Sequence, residues 1–168
     1  MNMKRIITLA LVVIPLAVMA QMRIATVDVQ RVFNNMPETM KANEQLEKAS
    51  QQFKSEYEMM QTEFNGKYAA YQGLAGDTPA TIRDRRVREI QDSNSEIEAF
   101  LERSQASLAA LKQELEAPIY AKINAAIKEV GDAGGYTYII DVSKFPVVYS
   151  GAGAIDLTTQ VKKALGID

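Results

Sequence analysis

Apolar residues in the central part of the chain recur at steps of three, four or seven, which is the pattern of amphipathic helices. A first helix is predicted from Pro37 to about Leu74, with an apolar stripe formed by Leu46, Phe53, Tyr57, Met60, Phe64, Tyr68 and Tyr71. A second is predicted from about Pro79 to Val130, with a heptad seam formed by Val87, Ile90, Asn94, Ile97, Leu101, Ser104, Leu108, Leu111 and Leu115. Gly73 and Gly76 indicate a turn between them. We therefore expect a long antiparallel helical hairpin.

The seam of the second helix changes after Leu115. Its apolar residues then follow at steps of four, at Ile119, Ile123 and Ile127. This spacing turns the apolar face around the helix, so that it should meet a different partner. Pro118 lies at the same point and should kink or restart the helix, because proline has no backbone N–H. We therefore assign residues 37–116 to a coiled-coil hairpin arm and place its junction with a body at residues 115–119.

Both ends of the chain predict β-structure instead. Residues 22–29 (MRIATVDV) are rich in β-branched side chains and are typical of a buried strand. Residues 136–141 (YTYIID) and 145–150 (FPVVYS) predict two further strands. Short helices are predicted at residues 30–35 and 157–165, the second with Asp156 as its N-cap.

The two ends, residues 21–36 and 117–168, should together form one small α+β body from which the hairpin protrudes. A body of roughly sixty residues buries too little surface to be stable alone. Self-association through the strands would cover their edges as well, so we expect these ends to be an oligomerisation region. The apolar residues expected at its contacts are Ile24, Val27, Val29, Tyr138, Ile140 and Val148.

The first twenty residues have the pattern of a secretory signal peptide. Lys4 and Arg5 precede an apolar run at residues 6–14, and Val18-Met19-Ala20 matches a cleavage site. We expect residues 1–20 to be removed on export, with an uncleaved membrane anchor as the alternative. Cleavage would leave 17 basic and 21 acidic residues, a net charge of −4.

The composition excludes several kinds of chemistry. The sequence has no cysteine and no histidine, so thiol and imidazole catalysis are excluded. The acidic balance argues against nucleic-acid binding. Without a nucleophile–base pair or a set of metal ligands, we expect no enzymatic activity, no metal and no cofactor. Asp28 and Asp141, at the ends of predicted strands, are interpreted as capping residues.

The order of these segments resembles the Skp/OmpH family of periplasmic chaperones. The resemblance rests on the signal peptide, the helical hairpin and three stretches that flank it: MRIATVDVQRVFNNMPE, EAPIYAKINAAIKEVGDAGGYTYIIDVSKFPVVYS and IDLTTQVKKAL. It implies a homotrimer whose strands form a small central β-barrel, with three arms that enclose unfolded outer-membrane proteins without ATP. Well-known members are strongly basic, whereas this chain is acidic.

Two sets of arm residues are candidates for client contact. The first is a basic cluster next to the predicted turn: Lys67, Arg83, Arg85, Arg86 and Arg88. It is either a solvated helix end or a tip that engages acidic client segments or anionic lipids. The second is the part of the apolar stripe formed by Tyr57, Met60, Phe64, Tyr68 and Tyr71. Such stripes usually pack against a partner helix, but a two-helix arm has no third layer to cover all of them.

Two functions fit this architecture. The first is a periplasmic holdase that keeps unfolded outer-membrane proteins from aggregating. The alternative is a structural coiled-coil protein of the cell envelope without chaperone activity.

Overall fold

Two long helices dominate the computed structural model, which describes residues 22–167. In chain order the elements are β1 (Ile24–Val27), α1 (Val29–Asn35), α2 (Pro37–Gln72), α3 (Ala80–Gly134), β2 (Tyr138–Asp141) and α4 (Thr158–Ala164). The predicted α+β architecture, with β-structure at both chain ends and a helical hairpin between them, is confirmed. The expected signal peptide lies outside the described residues. No helix within residues 22–167 is long and apolar enough to cross a membrane.

The first strand lies at the centre of the β-structure. It pairs in parallel with β2, from Ile24 opposite Tyr138 to Val27 opposite Asp141. On its other side, the backbone N–H of Thr26 donates to the carbonyl of Ile155, and the N–H of Leu157 donates back to Thr26, both at 2.8 Å. Strand β1, which precedes the hairpin, is therefore hydrogen-bonded on both sides to segments that follow the hairpin.

The core of the body is built by residues from both chain ends. Its four largest fully buried side chains are Val27, Val32, Ile123 and Val161, which come from β1, α1, α3 and α4. The rings of Phe33 and Tyr120 stack at 4.7 Å between centroids, which joins α1 to α3. This shared core fixes the root of the arm in the body.

Aspartate carboxylates accept backbone N–H groups where strands end and helices begin, as predicted for Asp28 and Asp141. The N-cap of α4 is Leu157 and not the predicted Asp156, because the helix begins one residue later, at Thr158. The Asp28 carboxylate accepts the N–H of Arg31 at 2.8 Å and caps α1. That of Asp141 accepts the N–H of Val29 at 3.3 Å, and that of Asp156 accepts the N–H of Thr158 at 2.8 Å. Each bond satisfies a backbone donor that has no partner in regular structure.

Two predictions about the body were wrong. Residues 145–150 form no strand, since no strand among residues 22–167 pairs with them. Val29 begins α1 instead of ending a strand, since Asp28 caps the helix there. Of the two outcomes expected at Pro118, a kink or a restart, the restart does not occur: α3 continues through Pro118 to Gly134.

The helical seam of the arm differs from the predicted one at two positions. Ser93 and Phe100 are buried, whereas the predicted Asn94 and Leu101 are exposed. Phe100, and not Leu101, faces the other helix, because its ring packs edge-on against the ring of Phe53, 6.1 Å away between centroids. The predicted Ser104 is buried in the seam.

Candidate functional site

The apolar stripe of α2 lies mostly between the two helices of the arm. Tyr57, Met60, Phe64 and Tyr71 are half-buried, as expected of side chains that pack against a partner helix. Tyr68 instead points outward and is 46% exposed, with its ring stacked on Phe64 at 6.4 Å between centroids. Of the predicted set, only Tyr68 is classed as exposed, with a little under half of its surface open to another molecule.

The arginines of the basic cluster have different environments. The Arg83 guanidinium donates to the backbone carbonyls of Thr78, at 3.0 Å, and of Gly76, and so holds the turn between α2 and α3. Arg85 and Arg86 both pair with Glu89, at 3.7 and 2.7 Å, and the hydrogen bond from Arg86 lowers the pKa of that carboxyl. Of these four arginines, only Arg88 is exposed and forms neither an ion pair nor a side-chain hydrogen bond with another described residue.

The charged neighbours of Lys67 are carboxylates of both arm helices. Its ammonium group pairs with Glu63 at 2.8 Å, and this hydrogen bond raises the pKa of the lysine. Glu96 and Glu89 of α3 raise it further through their charge. At the arm tip, acidic side chains therefore lie among the basic ones, and the basic residues do not form a continuous patch.

The role of Arg83 in the turn leads to a testable expectation. Replacing Arg83 with alanine should leave the tip backbone without its side-chain donors, so amide hydrogen exchange in residues 74–79 should become several-fold faster. The global unfolding free energy should change by less than about 0.5 kcal/mol, because the site is at the exposed end of the arm. Arg88→Ala is the matched control and should leave exchange unchanged. Equal exchange rates in the two variants would contradict the role assigned to Arg83.

The predicted oligomerisation residues fall into two groups. Ile24, Tyr138, Ile140 and Val148 are exposed, and Val148 has 99% of its surface accessible. Val27 and Val29, in contrast, are buried in the core of this chain, because alternate residues of a strand face opposite sides and Val29 is helical. Their assignment to a partner contact was therefore wrong.

The exposed group continues into the irregular segment that follows β2. Phe145, Val147 and Tyr149 are also exposed, which makes an apolar surface unusual for a soluble monomer. Beside it lies an open cleft of about 500 Å³ bordered by Tyr120, Ile127 and Phe145, among other residues. This is the largest concentration of exposed apolar side chains on the body.

At the root of the arm, an ion pair joins the beginning of α2 to α3. The Lys122 ammonium group lies 2.6 Å from the Glu38 carboxylate, and this hydrogen bond lowers the pKa of Glu38. The pair borders a shallow groove with an apolar lining that includes Ala42, Leu115 and Ile119. Residues 22–167 contain no group of carboxylates that could hold a metal ion.

Comparison with known proteins places this architecture in a family. A family model described as outer membrane protein (OmpH-like) matches residues 23–165. The chain is 26% identical over 147 residues to the chaperone protein Skp of Pectobacterium atrosepticum. The aligned residues make up 88% of this chain and 87% of that protein. Its fold is similar to a crystal structure described as an OmpH-like outer membrane chaperone from Caulobacter crescentus, with a TM-score of 0.70, 16% identity and coverage of 84% and 82%. That structure supports the fold alone, but the family model spans nearly all the described residues, and the chain therefore belongs to the OmpH-like family of outer membrane proteins.

Proposed function

We propose that this protein is an ATP-independent holdase chaperone of the periplasm that binds unfolded outer-membrane proteins and prevents their aggregation. The observation that carries the proposal is the arm itself. Helices of 36 and 55 residues are about 54 and 80 Å long at the standard rise, far longer than the small body needs for its own core. Family membership and the similarity to a protein named a chaperone support the same function.

The chain divides naturally into an arm and an oligomerisation body. We assign residues 37–116 to the arm, and residues 21–36 with 117–168 to the body. A homotrimer would cover the exposed Ile24, Tyr138 and Ile140 and would give residues 145–150 the strand neighbours that a single chain lacks. Burial of this apolar surface would supply the driving force for assembly.

Client contacts are assigned to the exposed side chains of the arm. Tyr68 offers an aromatic face, and half-buried Tyr57, Met60, Phe64 and Tyr71 offer their accessible edges. Several weak contacts of this kind on each of three arms would act together as one multivalent site. At the tip, Arg88 is the cation best placed to meet an acidic client segment or an anionic lipid. Arg83, Arg85, Arg86 and Lys67 would contribute less, because each already has a partner.

The signal-like pattern of residues 1–20 and the membership in the OmpH-like family support a periplasmic location. The body and arm have a mixed surface with an acidic total, which supports a protein partner over a nucleic acid.

The packing of the apolar stripe favours one competing function. Because four of its five client-contact candidates are half-buried between the helices, the arm could serve as a coiled-coil spacer in the envelope. A spacer needs no exposed contact surface, and it would leave unfolded proteins to aggregate.

Light scattering separates the two functions. A urea-unfolded outer-membrane β-barrel protein is diluted into buffer with an equimolar amount of the assembled mature protein. We expect most of the rise in scattering to disappear, whereas an equal mass of an unrelated coiled-coil protein should leave it unchanged. Scattering as high as in that control would exclude the holdase function and favour the spacer.

A further inference from the structure

The seam between the two arm helices becomes less buried towards the tip. Its residues on α3 follow steps of four and three: Arg86, Ile90, Ser93, Ile97, Phe100 and Ser104. The last four are buried, whereas Arg86 and Ile90 are only half-buried. On α2 the same steps connect six half-buried residues: Phe53, Tyr57, Met60, Phe64, Lys67 and Tyr71. We define the distal arm as residues 57–72 of α2 and 80–92 of α3.

Polar groups occupy positions of the seam where a tightly packed helix pair would have apolar side chains. In the distal arm these are Lys67 and Arg86. Among residues 22–167, the buried side-chain polar atoms without a hydrogen-bond partner in the protein are Arg86 Nε and Ser104 Oγ, and both belong to the seam. A buried polar atom without a partner destabilises the state that buries it. Contact between the helices therefore carries a cost that is removed when they part.

The distal arm also has little apolar burial to offset this cost. None of its residues is buried, whereas Ile97 and Phe100, just outside it, are 5% and 7% exposed. Burial of apolar surface is the main force that holds helices together, and segments with little of it open more easily than the rest of a protein. The contact of Phe100 with Phe53 therefore marks the point beyond which the helices are held weakly.

The connection at the tip is long enough to let the helices part. Seven residues, 73–79, link α2 to α3, and an extended segment of that length spans about 25 Å. Packed helices lie about 8–10 Å apart. The hydrogen bonds from Arg83 to the carbonyls of Gly76 and Thr78 hold the connection in its turn and would break when it extends.

The closed arm covers side chains that the proposed function needs. Tyr57, Met60, Phe64 and Tyr71 are half-buried, so an unfolded client can reach only their edges. Parting the helices would expose the faces of these side chains that lie in the seam. Methionine and aromatic side chains adapt to apolar partners of varied shape. An apolar segment of a client could therefore take the place of α3 on this face of α2.

We propose that the two helices of the distal arm part, and that apolar segments of unfolded clients bind the face of α2 that the closed arm covers. This inference rests on the proposed function and names the state of the arm that binds. Because α3 competes with the client for the same face, the apparent affinity for the client is reduced by the fraction of arms that are open. Strengthening the closed seam should therefore weaken client binding.

A cross-link across the distal arm tests this inference. The natural chain has no cysteine, so Lys67→Cys and Glu89→Cys introduce its only thiols. The charge of Glu89 on α3 raises the pKa of Lys67 on α2, which places the two positions within reach of a short bismaleimide. Denaturing electrophoresis checks that the link lies within one chain. The control is the same protein with each thiol capped by N-ethylmaleimide. We expect the cross-linked protein to bind a urea-unfolded outer-membrane β-barrel protein about tenfold more weakly than the control.

Two leucines in the seam provide an independent test. The seam variant carries Lys67→Leu and Arg86→Leu, which extends the apolar contact towards the tip. Its control carries Lys54→Leu and Arg103→Leu, the same change of charge and apolar surface at exposed positions outside the distal arm. We expect amide hydrogen exchange in the distal arm to slow about tenfold in the seam variant and its client affinity to fall by the same factor. The control should stay within about twofold of the wild type in both measurements.

The outcomes separate this inference from the function on which it rests. Equal client affinity of the cross-linked and capped proteins overturns the inference even if both suppress aggregation, because the closed arm would then bind. Exchange in the seam variant as fast as in its control also overturns it. Failure of the wild-type protein to suppress aggregation overturns the holdase function itself. Weaker binding by the cross-linked protein and by the seam variant, with both controls unchanged, supports the inference.

Discussion

A Val148→Asp substitution should break the proposed homotrimer into single chains. The side chain is 99% exposed in one chain, so the substitution does not disturb that chain's own fold. In the assembly it would bury an unpaired carboxylate, which costs about 3–5 kcal/mol at each site, and a trimer contains three such sites. We expect the mass measured by light scattering after gel filtration to fall from that of a trimer to that of one chain, and the suppression of aggregation to fall with it.

Met40→Asp is the matched control for this experiment. Met40 is 66% exposed and lies in α2, away from the proposed edge, so this variant should keep the mass of the wild type. A Val148→Asp protein that remains fully assembled would show that residues 145–150 do not take part in the contact.

An Ile123→Ala substitution should destabilise the body more than any change on the arm surface. Ile123 is fully buried and belongs to the core cluster that joins α3 to both chain ends. Large-to-small changes at such sites cost about 2–5 kcal/mol, through lost burial and the cavity that remains. Urea unfolding followed by circular dichroism should show a lower midpoint.

Ile82→Ala provides the comparison, because Ile82 lies at the tip and is 36% exposed. Its cost should be about 1 kcal/mol, well below that of Ile123→Ala, because part of the side chain is already in contact with water. Similar midpoints for the two variants would mean that the core around Ile123 does not limit the stability of the protein.

The hairpin was predictable because long runs of apolar residues at helical spacing fix both the element and its approximate ends. The same spacing does not select between neighbouring positions. Ser93 and Asn94 are neighbours in the sequence, as are Phe100 and Leu101. Either residue of each pair fits the helical spacing of the seam. The outcome depends on packing across the interface, where Phe53 provides a partner for Phe100.

The strands were less predictable than the helices, since β-propensity identifies a segment but not its neighbours. The pairing of Thr26 with residues 155–157 leaves no trace in the sequence pattern. Residues 145–150 have a strand-like composition and yet form no strand, because no strand among residues 22–167 pairs with them.

The candidate site shows a similar limit. Charge counting identified the basic cluster, but not that Arg83 is committed to backbone carbonyls of the turn.

The parallel pairing of β1 with β2 also constrains the order in which the chain acquires its structure. Ile24 pairs with Tyr138, and contacts this distant in sequence form slowly when a flexible loop must close. Here the intervening residues form a stiff rod that doubles back on itself, which brings the two strands together without a search through open coil. The two helices should therefore pair first, and the strands of the body should pair only after the hairpin has formed.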